Sequence, residues 1–168
     1  MERPFDISAD LDTPVSTFLK LKPLNPCFLL ESVEGGTRLA RYSFLGLGEV
    51  SRIVIRDGKF YVGGESMATP KSTEELLQCF RQVLKELPDL KPEITDMPFS
   101  GGLVGFGSYD LVRYFESIPK PTSKGCDLDP PDASYIAPKS LIIFDHLTRR
   151  IALLHAGSES SRMELKRQ

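Results

Sequence analysis

A glutamate, a serine and an arginine lie near one another in the sequence, in an arrangement suited to holding a zwitterion. Glu31 and Ser32 end an apolar run, and Arg41 follows the Gly35-Gly36 pair. A carboxylate binds an ammonium group and a guanidinium binds a carboxylate. Because neighbouring strand residues point to opposite faces, Glu31 and Ser32 share a site only where the strand ends or bulges. The alternative is a cross-strand ion pair between Glu31 and Arg41.

A second candidate is the glycine-rich run 101–110. The frame that begins at Gly105 has Asp110 where a dinucleotide-binding fingerprint needs its third glycine, and no P-loop lysine follows. Glycines in a strand more often permit close approach of a neighbouring backbone. We therefore predict an architectural role for this run, with a strand near 102–106. A short helix should follow near 110–115, on which Asp110 and Arg113 pair.

The cysteines and histidines give no sign of a metal or redox site. Cys27, Cys79 and Cys126 lie 52 and 47 residues apart, which fits neither a zinc ribbon nor a CxxC motif. We predict that all three are reduced thiols. His146 and His155 flank a predicted hairpin without a catalytic signature, so structural roles are expected for both.

The elements that position these residues begin with a capped helix. Thr13 can cap it and Pro14 suits its first position. Strands are predicted over 27–33 and 39–47, and they form an antiparallel hairpin across Gly35-Gly36.

A second hairpin pairs residues 51–56 with 59–62. Asp57-Gly58 connects them, and both residue types tolerate the positive φ that a tight turn requires. The strongest helix is predicted over 73–87, because apolar residues recur there at helical spacing and Ser72 with Glu75 forms a capping box.

A third hairpin pairs residues 140–145 with 151–155. Ser161 with Glu164 is typical of a capping box that starts a further helix. That helix carries no stop pattern before Gln168, so we expect the chain to be part of a longer protein.

Composition narrows the class of protein. The 168 residues suffice for one ordinary domain. The 21 Lys+Arg against 23 Asp+Glu give a net charge of -2, which argues against binding nucleic acid through phosphate neutralisation. The apolar runs are too short to span a bilayer, and the N-terminus lacks the apolar core of a secretory signal. A cytoplasmic location is the expectation.

Several motifs together resemble one enzyme family. In order along the chain from about Leu11 to about His155, they are similar to the N-terminal region of anthranilate synthase component I, a chorismate-utilising enzyme. The motifs are residues 12–16, 28–36, 41–46, 102–105 with 109–113, and 144–146.

The resemblance implies an α+β fold in which orthogonally packed antiparallel sheets carry outer helices. Residues 1–168 would form the regulatory region, and the catalytic chorismate-binding region of the family has no counterpart in this sequence. The parent enzyme would use chorismate, Mg²⁺ and ammonia from a glutamine amidotransferase subunit to make anthranilate and pyruvate. This segment would hold no cofactor, no metal and no catalytic residue, and would be inactive alone.

The resemblance also assigns a ligand. Tryptophan is the feedback inhibitor in this family, and its binding motif carries over to Leu30, Glu31 and Ser32, with Arg41 as a further contact. Two alternatives stay open: the corresponding part of aminodeoxychorismate synthase component I, and a free-standing amino-acid-binding regulatory module. The isolated segment is expected to self-associate through apolar surface that the rest of the enzyme covers.

Overall fold

The computed structural model describes residues 4–31, 41–118 and 130–168. Short 3₁₀ turns cover Lys22–Leu24 and Tyr109–Tyr114. The helices and strands, in chain order, are β1 (Phe5–Ser8), α1 (Pro14–Lys20), β2 (Pro26–Leu30), β3 (Tyr42–Arg56), β4 (Lys59–Val62), β5 (Glu65–Ala68), α2 (Thr73–Glu86), β6 (Val104–Gly107), β7 (Ala133–Asp145), β8 (Arg150–His155) and α3 (Glu159–Lys166).

The chain divides into two compact units. The first contains Met1–Glu49, Pro88–Gly101 and Pro138–Gln168, and the second contains Val50–Leu87 and Gly102–Ala137. The strand pairs whose register is resolved are antiparallel in both units. The predicted α+β class is therefore confirmed.

The first unit is built on a sheet in the order β1-β8-β7-β3-β2. Both faces of this sheet are buried. In β7, Leu141 and Ile143 belong to the apolar cluster on one face, while Ile142 and Phe144 belong to the cluster on the other face. This follows from the two-residue alternation of side chains along a strand. An apolar run without polar alternation is therefore the expected sequence of a strand covered on both sides.

Different segments cover the two faces of that sheet. Phe18 and Leu21, in and just after α1, pack with Leu165 of α3 against one face. The segment 88–101 packs against the other face through a set of apolar side chains: Leu90, Ile94, Met97 and Phe99. The cap predicted for α1 is confirmed, because Oγ1 of Thr13 accepts a hydrogen bond from the amide of Ser16 at 3.1 Å.

The second unit places α2 against a small antiparallel sheet. Strand β3 pairs with β4 and β4 with β5, while β6 pairs with β7. The core shared by these strands and α2 consists of Ile53, Ile55, Phe60, Leu76, Val83 and Ala133. The tight turn at Asp57-Gly58 is confirmed, with φ of 52° and 77°.

The glycine run is architectural, as predicted. A Cβ on Gly105 would lie 2.0 Å from the carbonyl oxygen of Ser134, so the β6 backbone approaches β7 too closely for a side chain. A 3₁₀ turn takes the place of the short helix predicted after this run, and Asp110 pairs with Arg113 there at 2.6 Å.

Three predictions about local structure need correction. The strands predicted over 39–47 and 51–56 are one continuous strand, β3, which pairs with β2 through Leu47 and with β4 from Ile53 onward. The Ser161–Glu164 capping box is wrong, because Ser158 caps α3 and accepts from the amide of Ser161.

The third correction concerns the start of α2. Oγ of Ser72 accepts from the amide of Glu75 as predicted. The Glu75 carboxylate, however, accepts from the amide of Lys71 at 2.7 Å, so the reciprocal half of the box is shifted by one residue.

The remaining sequence expectations concern cysteines and membrane spans. Cys27 and Cys79 are not in a disulfide within the part of the chain that the structure describes, in agreement with the predicted reduced thiols, while Cys126 lies outside the described residues. None of the helices within 4–31, 41–118 and 130–168 has the length and apolar character needed to cross a bilayer.

Candidate functional site

Three of the predicted binding residues lie at strand ends of the first unit: Leu30 ends β2, Glu31 follows it, and Arg41 directly precedes β3. Strand β2 ends at Leu30, which pairs with Phe44 of β3, and β7 ends at Asp145. The amide of His146 donates to the carbonyl of Arg41 at 2.8 Å, which brings the end of β7 to the start of β3. We call Leu30, Glu31, Arg41, Tyr42 and Asp145 the strand-end site.

The structure leaves two of the predicted contact residues accessible. Leu30 is 41% exposed, unlike its neighbour Leu29, which packs into the core. Glu31 follows the last residue of β2 and is exposed. The strand therefore ends where the sequence argument required it to end. Ser32 lies outside the described residues.

Arg41 has a partner that the sequence did not suggest. Its guanidinium forms a two-pronged ion pair with Asp145, with Nε donating to Oδ1 at 3.2 Å and Nη2 donating to Oδ2 at 2.9 Å. The guanidinium also lies over the ring of Tyr42, 4.8 Å from its centroid. Glu31 and Arg41, both among the described residues, do not form the cross-strand ion pair that was the alternative prediction.

Asp145 is a buried carboxylate with several donors. Its side chain is 3% exposed, and Oδ1 also accepts from the amide of Leu147 at 3.0 Å and that of Thr148 at 3.4 Å. Burial raises the pKa of this carboxyl, but the hydrogen bonds from Arg41, Leu147 and Thr148 outweigh it and hold the pKa below its ordinary value of 3.8. Asp145 is therefore ionised at neutral pH.

The same partner affects Arg41. The hydrogen bond that Arg41 donates to Asp145 raises the pKa of the guanidinium, which keeps it charged. Arg41 is 50% exposed, whereas its carboxylate partner is shielded from solvent. A fixed, half-exposed cation of this kind is suited to binding the carboxylate of a small molecule.

A second link joins β3 to the end of β7. Oγ of Ser43 lies 2.8 Å from Nε2 of His146, whose ring stacks on Phe144 at a centroid distance of 6.5 Å. The structural role expected for His146 is consistent with this contact. Asp145 and His146 were not predicted as site residues. One sequence pattern could have identified Asp145. An aspartate at the first position of a turn accepts hydrogen bonds from backbone N–H groups of the turn.

A cavity of ≈ 400 Å³ lies beside this end of the first unit. Residues of the loop before α1 and of the β7–β8 turn line it, among them Thr13, Asp145, His146 and Arg149. Metal ligation is not a feature of the described part of the chain, where no group of three or more His, Cys, Asp or Glu side chains could hold an ion.

Comparison with known proteins adds a family relationship. No family model matches the chain. Anthranilate synthase component 1 of Thermus thermophilus is 39% identical over 94% of this chain and 32% of its own length. The protein of the same name from Acinetobacter calcoaceticus is 36% identical over 89% of this chain and 31% of its own.

A solved structure shares the fold. The crystal structure of anthranilate synthase component I from Streptococcus pneumoniae superposes with a TM-score of 0.59 and 22% identity, covering 98% of this chain and 34% of that chain. The present chain thus spans about a third of the length of the curated relatives it matches. Over that third, the chain is homologous to anthranilate synthase component I.

Proposed function

We propose that this chain is the N-terminal regulatory region of anthranilate synthase component I and that it binds tryptophan as a feedback inhibitor. The observation that carries the proposal is the extent of the homology, which covers 94% of this chain but only 32% of the Thermus protein. The names of the relatives support the anthranilate enzyme over its aminodeoxychorismate counterpart.

The complete enzyme is proposed to convert chorismate and glutamine-derived ammonia to anthranilate and pyruvate, with a glutamine amidotransferase subunit as partner. We expect it in the cytoplasm. The parent's Mg²⁺ does not fit the described residues of this chain, which provide no cluster of carboxylates. We propose that this region contributes regulation, and the metal is expected to be held elsewhere in the complete protein.

The strand-end site supplies the groups that an α-amino acid requires. Glu31 is exposed at the end of β2 and is proposed to bind the ammonium group. Arg41 is proposed to bind the carboxylate, while half-exposed Leu30 offers apolar surface. The resemblance places Ser32 in the same binding motif, and we propose that its hydroxyl forms a hydrogen bond with the ligand.

Inhibition of the complete enzyme tests this assignment. Ser32→Phe or Glu31→Ala should raise the tryptophan concentration for half-inhibition at least about tenfold, equivalent to roughly 1.4 kcal/mol, because each removes a contact made only in the inhibited state. kcat should stay near wild type. Arg41→Ala, which removes the proposed contact to the carboxylate, should weaken inhibition as well, and the melting temperatures of all three variants control for folding. Unchanged tryptophan sensitivity in a normally melting Ser32→Phe enzyme would remove this site from the proposal.

The chain alone is expected to be inactive. Purified chain supplied with chorismate, ammonia and Mg²⁺ should produce no anthranilate above background. Calorimetry of the same preparation with tryptophan, and with phenylalanine and chorismate as controls, measures whether binding survives in isolation. Measurable anthranilate would refute the regulatory assignment of this region.

Self-association of the isolated chain is also proposed. Val15 and Leu19 are exposed one turn apart on α1, and Leu11 is 95% exposed in the turn before the helix. Exposed apolar side chains that lie close together favour association. Light scattering at increasing concentration should show oligomers, and a monodisperse monomer would count against the idea.

A further inference from the structure

The Arg41 guanidinium offers two separate edges to acceptors. One edge carries the N–H groups of Nε and Nη2, and the other carries those of Nη1 and Nη2. Asp145 occupies the first edge with both carboxylate oxygens. The second edge points away from Asp145 by the geometry of the planar group, and no other described residue accepts a hydrogen bond from it.

The plane of the guanidinium is fixed as well. Its carbon lies 4.8 Å from the centroid of the Tyr42 ring, and Tyr42 in turn packs against the buried cluster that contains Phe44 and Leu141. Two contacts therefore define both the direction and the tilt of the second edge. The half-exposed side chain leaves room for a ligand there.

Asp145 is positioned to restrain the side chain of Arg41. It is 3% exposed, and the amides of Leu147 and Thr148 anchor its Oδ1 to the β7–β8 turn. Because its carboxylate is held by backbone as well as by Arg41, it cannot follow the arginine into solvent. It restrains the arginine, and its 3% exposure leaves it little surface with which to contact a ligand.

We infer that Asp145 is a positioning residue for ligand selection: it holds Arg41 so that the Nη1–Nη2 edge binds the carboxylate of an α-amino acid. The inference rests on the proposed function and adds to it the group that gives the site its preference for a carboxylate. An arginine released from Asp145 would spread over several rotamers and lose much of the benefit of its planar fork.

Comparison of two ligands distinguishes a role of Asp145 in selecting a carboxylate from a general effect on ligand binding. L-tryptophanamide has a neutral carboxamide in place of the carboxylate of L-tryptophan, so it cannot form an ion pair with a guanidinium. We would measure both dissociation constants by calorimetry on the complete protein that carries this chain. Asp145→Asn keeps an oxygen for the Leu147 and Thr148 amides but presents an N–H₂ group toward Nη2 of Arg41. The expected result is that the wild-type preference for tryptophan over its amide falls at least about tenfold.

The control variant lies on the same pair of strands. Ser43→Ala removes the hydrogen bond to His146 and leaves the contacts of Arg41 in place, so its ligand preference should match wild type. If Asp145→Asn does not fold, Arg41→Lys keeps the charge but loses the second planar edge, and the same loss of preference is expected. In an Arg41→Ala background, Asp145→Asn should change the preference no further.

Three results would overturn the inference. They are an unchanged preference in folded Asp145→Asn, which includes an equal loss of affinity for both ligands, an unchanged preference in Arg41→Lys, and a further change of preference when Asp145→Asn is added to Arg41→Ala. These leave the proposed function standing, because wild-type protein still binds tryptophan. A wild-type protein that binds neither ligand and whose inhibition is unaffected by Ser32→Phe overturns the proposed function itself, and the inference with it.

Discussion

Nε2 of His155 lies 3.0 Å from Oγ of Ser161, which connects the end of β8 to the first turn of α3. Ser161 donates its own proton to the carbonyl of Ser158, so it accepts from the imidazole. The other ring nitrogen then accepts from Oγ of Ser140 at 2.8 Å. The network assigns His155 as a neutral ring with its proton on Nε2.

This arrangement predicts a pH-dependent stability. Burial lowers the pKa of His155 below 6.5, and the nearby charges of Lys139 and Arg162 lower it further. The unfolded state therefore binds the proton more readily, and stability present above pH 6.5 is lost as the pH falls through the folded pKa. Urea unfolding should show a falling free energy of unfolding between about pH 7 and pH 5.

The matched variant for that measurement is His155→Asn, which cannot titrate. Its free energy of unfolding should vary less over the same interval, since only other groups contribute to the slope. Identical slopes for the variant and the wild type would mean that His155 is not the titrating group.

The close approach of the β6 backbone to β7 predicts that alanine substitutions at two glycines of β6 destabilise the protein to different extents. A Cβ on Gly105 would meet backbone atoms of Ser134 and Tyr135 at 2.0 and 2.6 Å. On Gly107 it would meet the end of the Leu111 side chain at 2.5 Å, which can rotate away. Gly105→Ala should lower the free energy of unfolding by about 2 to 3 kcal/mol and Gly107→Ala by under about 1 kcal/mol. Equal effects in chemical denaturation would refute the account.

Burial predicts a contrast between two leucines of the first unit. Leu154 is fully buried between strands and the 88–101 segment, whereas Leu147 in the β7–β8 turn is 72% exposed. Leu154→Ala should cost about 2 to 5 kcal/mol through lost burial and the cavity left behind. Leu147→Ala should stay within about 0.5 kcal/mol of wild type. Thermal melts of both variants test the contrast, which a stable Leu154→Ala protein would contradict.

The backbone conformation of the Asp57-Gly58 turn predicts that the free energy of unfolding depends on the shape of the side chain at position 57. Asp57 has φ of 52°, a conformation that a β-branched residue adopts only with strain. Asp57→Val should therefore lower the free energy of unfolding by about 1 to 2 kcal/mol. Asp57→Asn should be close to neutral, because asparagine tolerates this conformation. Similar melting temperatures for the two variants would show that the turn is not held in this geometry.

The sequence by itself determined the elements whose causes are local. The Thr13 cap, the helical stripe of α2 and the turn at Asp57-Gly58 each depend on residues within a few positions of one another. The hairpin of β7 and β8 followed in the same way, since one short turn sets its register. The strand predicted over 27–33 was placed correctly at its start, whereas β2 ends at Leu30.

Tertiary structure decided which groups those residues meet. Arg41 and Asp145 are 104 positions apart, and only the placement of β7 beside β3 brings them together. From the predicted hairpin, Glu31 was the carboxylate considered as a partner for Arg41, and nothing in the local sequence singled out Asp145. The choice between them depends on strand order, which local chemistry does not encode. Burial then separates the two carboxylates: Asp145 is held at 3% exposure by the turn that follows it, while Glu31 stays accessible.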